Sequence, residues 1–159
     1  MKLRLLVLWL TVGLVLGVVN WQAFQREQLL GTGEVVFLEL APVDPRSLIQ
    51  GDYMQLRYAI AARVENPGDG FIVVQLDENR VAHYVRVHDP RIPLAANQQL
   101  LRYRWRASGV SIGPESFFFQ EGQAEYYQNA HYAELRVFAT GEVALIGLRG
   151  DELEPLGAP

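Results

Sequence analysis

The strictest alternation of apolar and charged side chains lies in residues Leu101–Ala107 (LRYRWRA). Successive side chains of a β-strand point to opposite faces, so this pattern predicts a half-buried strand. The apolar positions predicted to face the core are Leu101, Tyr103 and Trp105. The positions predicted to face solvent are Arg102, Arg104 and Arg106. We interpret these arginines as the solvent-exposed face of a sheet. The alternative is that they form a docking face for an acidic partner or for anionic headgroups.

Further strand-like segments flank this one on both sides. They are Glu34–Ala41, Asp52–Ile60, Phe71–Leu76, Val81–Val87, Phe117–Phe119, Leu135–Ala139 and Val143–Leu148. Turn residues predict hairpins around Asp77–Arg80 and Thr140–Gly141, and Gly122–His131 is the one helix predicted in this region. Seven or eight short strands at this spacing predict a mainly β fold, either an antiparallel sandwich or a partly open barrel with one short helix.

The composition of the 159 residues excludes several classes of protein. Half of the chain is hydrophobic and a fifth is charged, which indicates a folded domain and not a disordered chain. The absence of cysteine excludes disulfides, a thiol nucleophile and cysteine-ligated metal sites. The formal net charge of −4 makes nucleic acid a poor partner, so we expect none.

The N-terminal segment predicts a membrane anchor. Leu5–Val19 contains no charged residue, and a helix from Leu3 to Phe24 would be about 33 Å long. This length covers a hydrocarbon core of about 30 Å. Positive charge precedes the segment, whereas Arg26 and Glu27 cancel after it, so we expect the N-terminus in the cytoplasm and the rest outside. A cleaved signal peptide is the alternative, although its best candidate site, at residues 15–17, lies inside the apolar run.

These observations predict four segments along the chain. Residues 1–24 form the single transmembrane anchor and residues 25–32 a linker. Residues 33–148 form the β-rich extracytoplasmic domain, and residues 149–159, with two prolines and two glycines, form a flexible tail.

The segment Pro42–Tyr58 has a complete structural explanation. Asp44 followed by Pro45 is typical of a helix start, and one helical turn would then end at Gly51 in the left-handed conformation. Asp52 is placed to accept hydrogen bonds from backbone N–H groups around this turn. No chemistry is needed to explain the segment.

Gly51–Tyr58 (GDYMQLRY) also resembles the motif that names the GDYXXLXY family of bacterial membrane-anchored proteins. The motif positions are Gly51, Asp52, Tyr53, Leu56 and Tyr58. The resemblance extends to Val43–Leu48, to Ile112–Phe118 with Glu121–Gly122, and to Arg136–Leu148, and so covers most of residues 33–148. Pro114 departs from the residue that usually follows the glycine there.

The resemblance implies a single N-terminal span in the bacterial cytoplasmic membrane, a β-rich periplasmic body and no established activity. It also implies a co-encoded multi-span membrane protein as the partner. We therefore expect a non-catalytic binding or assembly subunit without a cofactor. The candidate interaction residues are Asp44, Arg46, Arg102, Arg104, Arg106, Glu115, Phe118 and Glu121.

Three other functions stay open. Gly109–Gly113 has the G-x-S-x-G pattern with Ser111 as a nucleophile, but a helix should follow such a serine and His131 is the only later histidine. The other interpretation of this segment is a glycine-flanked turn between two strands. A carboxylate or metal site would use Asp52, Glu115, Glu121 or Glu125, whose spacing selects none of them. A ligand-binding envelope sensor would need a sizeable apolar pocket.

The predicted topology can be tested with reporter fusions. We expect a periplasm-active reporter fused after Pro159 to be active and the chain to stay uncleaved in the membrane, because its positive flank is retained in the cytoplasm. Activity of a cytoplasm-only reporter at the same position would contradict this topology. A mature N-terminus near Gln22 would show that the segment is a signal peptide.

Overall fold

The computed structural model describes residues 9–21, 33–41, 49–50, 53–65 and 67–157. The chain divides into two units, one ending at Gly33 and the other beginning at Glu34. In the first unit, residues 9–21 form an α-helix, α1. Within the described ranges, no helix combines the length and hydropathy needed to cross a bilayer. The anchor predicted for residues 1–24 extends outside these ranges at both ends, and it stays a prediction together with the other segment boundaries.

The second unit is built from short strands. Its described residues form β1 (Glu34–Glu39), β2 (Ile49–Gln50), β3 (Tyr53–Gln55), β4 (Gly70–Leu76), β5 (Ala82–Val87), β6 (Gln98–Arg106), β7 (Gly109–Ser111), β8 (Ser116–Phe118), β9 (Tyr132–Val137) and β10 (Val143–Arg149). Every pair of neighbouring strands among them is antiparallel. The prediction of a mainly β, antiparallel fold is confirmed.

The strands form three sheets, with the orders β1-β9-β10, β2-β3-β8 and β5-β4-β6-β7. Two backbone hydrogen bonds connect the first sheet to the third. The Phe37 N–H donates to the Arg80 carbonyl at 3.0 Å, and the Arg102 N–H donates to the Gly141 carbonyl at 2.7 Å. Together the sheets curve into a half-barrel around one core.

The core follows the alternation of the strands. Ten of its described side chains are essentially inaccessible to solvent: Val36, Leu38, Ile72, Val73, Val74, Leu101, Tyr103, Ala133, Leu135 and Leu148. In β6 the buried positions Leu101 and Tyr103 alternate with arginines, as predicted. Gly70 lies close against Tyr103, and a Cβ there would be 3.0 Å from the tyrosine hydroxyl oxygen and 3.1 Å from its ring, so the ring would have to shift slightly.

Trp105 does not join this core, although its position in the alternation predicted that it would. Its side chain is 44% exposed. The physical reason is that the pairing of β6 with β4 ends at Tyr103 opposite Gly70, so Trp105 pairs only with Val110 of β7. The backbone N–H of Trp105 instead donates to the Asp69 carboxylate at 2.9 Å.

Three predicted elements differ from the structure. The predicted helix Gly122–His131 is reduced to a 3₁₀ helix at Ala124–Tyr127. It cannot begin at Gly122, because the φ of Gly122 is +83°, outside the right-handed helical region. The strand predicted to end at Ile60 gives way to a 3₁₀ helix at Ala59–Arg63, which still buries Ile60. The turn expected at Gly109–Gly113 instead contains strand β7, since Ala107 and Ser108 make the turn.

Both predicted hairpins are confirmed, as β4–β5 and β9–β10. The first is closed by Asp77, whose Oδ1 accepts hydrogen bonds from the N–H groups of Asn79 and Val81 at 2.9 and 2.8 Å. After β10 the chain turns back, and the Leu156 N–H donates to the Leu148 carbonyl at 3.0 Å. The flexibility predicted for residues 149–159 stays a prediction.

Leu56, which is 3% exposed, offers a test of this core. We expect Leu56→Ala to lower the free energy of unfolding of the full-length chain by about 2–5 kcal/mol, because the truncation leaves a cavity. The exposed neighbour Gln55 provides the matched control, and Gln55→Ala should stay within about 0.5 kcal/mol of wild type. Chemical denaturation in detergent measures both. Equal stabilities of the two variants would contradict this packing.

Candidate functional site

The strand that carries the sequence motif is the centre of its sheet. In β3, Tyr53 and Met54 pair with Phe118 and Phe117 of β8. Beyond β3, the Leu56 N–H donates to the Glu115 carbonyl at 2.8 Å. The motif and the later segment that resembled the same family therefore form one structural unit.

Tyr58, the last motif residue, anchors this unit. Its side chain is 5% exposed, and its hydroxyl donates to the Pro114 carbonyl at 2.8 Å. A Cβ at Gly113 would lie 3.1 Å from the Tyr58 hydroxyl oxygen and 2.9 Å from Cγ2 of Val143. Only glycine fits here without displacing a neighbour. Because Pro114 contributes a backbone carbonyl, its departure from the family pattern leaves this hydrogen bond in place.

The environment of Tyr58 keeps its phenol neutral. Burial raises the pKa of Tyr58 above its ordinary value of 10.0, and the negative charge of Glu115 raises the pKa further. The hydroxyl therefore remains a hydrogen-bond donor at any physiological pH.

A groove of about 590 Å³ runs between the motif strand and the β6–β7 hairpin. We call it the motif groove. Its described lining residues are Ala41, Gln55, Leu56, Arg57, Tyr58, Ala61, Ala62, Val64, Trp105, Ser108, Gly109, Val110, Ser111, Glu115 and Ser116. Leu56, Tyr58 and Val64 are buried, whereas Arg57, Trp105 and Glu115 are exposed. The groove thus combines buried apolar residues with charged and aromatic exposed ones.

A smaller cleft of about 330 Å³, the arginine cleft, shares Ser111 with the motif groove. Its lining residues are Arg102, Arg104, Ser111, Ile112, Gly113, Pro114, Glu142 and Val143. Nitrogens of Arg102 and Arg104 lie 3.1 and 3.4 Å from the same oxygen of Glu142. Here two arginines share a single carboxylate.

Positive charge exceeds negative charge around these two depressions. Arg57 lines the motif groove, and Arg106 lines a shallow depression that also includes Arg104, Ser111 and Glu115. Neither the Arg57 nor the Arg106 side chain forms a hydrogen bond or an ion pair with any residue that the structure describes. The lining of the three depressions contains four arginines and two glutamates, in a chain whose formal net charge is −4.

The other predicted interaction residues lie elsewhere. Phe118 is 74% exposed, and its ring centroid lies 5.8 Å from that of Tyr53. Glu121 is exposed in the turn after β8 and lines none of the three depressions. Four predicted residues fall outside the described ranges: Asp44, Arg46, Gly51 and Asp52.

The G-x-S-x-G pattern does not produce the surroundings of a nucleophilic serine. Ser111 ends β7 opposite Arg104, and the chain continues through a short loop into β8, not into a helix. Among the described residues, no histidine lines either depression beside Ser111, and no three His, Asp or Glu side chains gather as a metal site would need. His131 contacts Asp151 through Nδ1 at 2.9 Å.

Sequence reasoning did not identify Arg57, Trp105, Val110 and Glu142 as parts of this site. One feature of the sequence could have identified Arg57, since it lies between the apolar motif residues Leu56 and Tyr58, where alternation predicts an exposed side chain. The other three come together only through strand pairing and through the β9–β10 turn, which the local sequence pattern does not report.

The fold and these depressions define a small antiparallel β-protein with a mixed apolar and cationic surface groove. A family model described as GDYXXLXY protein matches residues 15–148. The chain belongs to the GDYXXLXY protein family. No curated protein and no solved structure matches it.

The raised pKa of Tyr58 predicts an alkaline loss of stability. Below pH 10.0 Tyr58 is neutral in both the folded and the unfolded chain. Above pH 10.0 the unfolded chain loses the Tyr58 proton first, which favours unfolding. The free energy of unfolding should therefore fall as the pH rises above 10.0. One such group contributes a slope of at most about 1.4 kcal/mol per pH unit. Tyr58→Phe should remove this contribution, and the exposed control Tyr126→Phe should keep it. Urea denaturation across this pH range measures the slopes, and identical slopes in both variants would contradict the assignment.

Proposed function

We propose that this protein is a non-catalytic binding or assembly subunit of the bacterial cell envelope. Residues 1–24 anchor it in the cytoplasmic membrane, and its β-rich body works on the periplasmic side with a multi-span membrane protein. The motif groove carries the proposal, since it combines buried apolar residues with the exposed Trp105 and the unpaired Arg57. Tryptophan and arginine are the residues that most often dominate protein interfaces.

The membrane part of the proposal is supported by the N-terminal residues. Leu5–Val19 contains no charged residue. In α1 the apolar side chains are exposed, including Trp9, Leu10, Leu14 and Trp21 at 66–69%. A helix with apolar side chains all round favours a lipid or protein environment over water.

Binding is favoured over catalysis by the content of the groove. Among its described lining residues, Glu115 is the one acidic group and no histidine is present, so acid–base chemistry has few candidates there. Its arginine, tryptophan and apolar positions are suited to contact and not to proton transfer. A multi-span membrane protein as the partner follows from what the family resemblance implies.

Site-specific photo-crosslinking in the full-length chain tests this function. A photoreactive residue in place of Ala62, which is exposed in the groove lining, should crosslink to an integral membrane protein in intact cells. The matched control carries the same residue in place of Glu152, which is also exposed and lies outside the groove. Mass spectrometry identifies the adducts. Equal labelling from both positions, or adducts with soluble proteins only, would contradict the proposal.

A further inference from the structure

We infer that the motif groove receives an extended acidic segment of the partner, which adds as a strand to the open edge of β7. The inference rests on the proposed function and specifies the chemistry of the partner at that same site. Three features carry it: the orientation of the β7 backbone, the apolar residues beside it and the unpaired arginines.

Strand β7 is an edge strand, because β6 is its one partner among the described strands. Residues opposite each other in an antiparallel pair alternate between hydrogen-bonded and non-hydrogen-bonded pairs. The Trp105 N–H donates to Asp69, on the side of β6 away from β7, so Trp105 and Val110 form a non-hydrogen-bonded pair. The N–H and carbonyl of Val110 therefore point away from β6, toward the open edge. An exposed edge of this kind is a template for an added strand.

This edge belongs to the motif groove. Gly109, Val110 and Ser111 all line the groove, together with motif residues 55–58. The Val110 side chain packs against the core, which holds the edge in place. An added strand would direct alternate side chains toward the buried apolar residues, and the others outward.

Charge determines the class of the added segment. Arg57 and Arg106 have no side-chain partner among the described residues, and Arg104 shares its one carboxylate with Arg102. Guanidinium groups bind carboxylates in a two-pronged geometry, so a segment with acidic residues on its outward face complements this surface. Glu115 lines the motif groove and would repel an acidic segment, but three arginines in the groove and the adjoining shallow depression outnumber it.

An anionic lipid surface would also attract these arginines. A flat array of headgroups, however, would not use the backbone edge of β7 or the buried apolar residues of a concave groove. We therefore assign the groove to a peptide segment, and membrane binding is an outcome that the experiment distinguishes.

The test uses the full-length chain in detergent micelles and a fluorescent synthetic peptide in which glutamate and valine alternate. We expect fluorescence anisotropy to detect saturable binding that weakens as salt is added, because the contacts are ionic. Arg57→Gln and Arg106→Gln should each weaken binding by about three- to five-fold, as expected for an exposed ion pair. Arg91→Gln removes another exposed, unpaired arginine that is outside the groove, and it should bind as wild type does.

Two further probes separate strand addition from simple charge attraction. A peptide with the same side chains and N-methylated valines cannot donate backbone hydrogen bonds from its valines, so it should bind much more weakly as an added strand. A peptide of alternating lysine and valine should not bind. Equal binding of the methylated peptide, or equal losses in all three arginine variants, would overturn the inference.

The remaining outcomes separate this inference from the proposed function. Binding to phosphatidylglycerol vesicles without binding to the acidic peptide would overturn the peptide assignment in favour of a lipid surface. Crosslinking of a membrane protein from position 62 that is unchanged by Arg57→Gln and Arg106→Gln would overturn the acidic-segment inference and leave the proposed function standing. If the chain with both arginines intact forms no crosslink to a membrane protein from position 62, the proposed function itself is contradicted.

Discussion

The hydroxyl of Tyr58 and the carbonyl of Pro114 form the contact on which the rest of this surface depends. The Tyr58 backbone forms a bridge with Leu40 after β1, while its ring packs beside Gly113 in the connection from β7 to β8. One residue, through its backbone and its side chain, thus joins the motif strand to two other parts of the chain. Burial raises the pKa of Tyr58 and keeps its phenol neutral, so the hydrogen bond persists at any physiological pH.

That contact also determines what the groove presents. With Tyr58 and Leu56 buried, the alternation of the extended chain leaves Arg57 outside, beside an edge strand and an exposed tryptophan. The same residues that stabilise the motif strand therefore orient the polar residue between them. In this family member the motif serves as scaffold at Leu56 and Tyr58, and it contributes to the candidate binding surface at Arg57.

Local patterns predicted the parts of the fold that depend on local rules. Alternation located β1, β4, β5, β6, β9 and β10, and turn residues located both hairpins, because these signals arise within a few residues. The same rules were wrong for Trp105 and for Gly122–His131. Burial of Trp105 depends on where β4 stops, and the short 3₁₀ helix depends on Gly122 and on Tyr127 packing against Phe117 and Phe119.

The sequence by itself determined the mainly β, antiparallel class, the buried faces of the main strands and, through Gly51–Tyr58, membership in the GDYXXLXY family. Beyond the two predicted hairpins, only the tertiary structure decided which strands became neighbours and therefore where the groove lies. Hydrophobic periodicity reports which face of a strand is buried, but it does not report the strand that lies beside it. The meeting of Arg57 with Trp105, and of Arg104 with Glu142, depends on contacts between residues far apart in the chain.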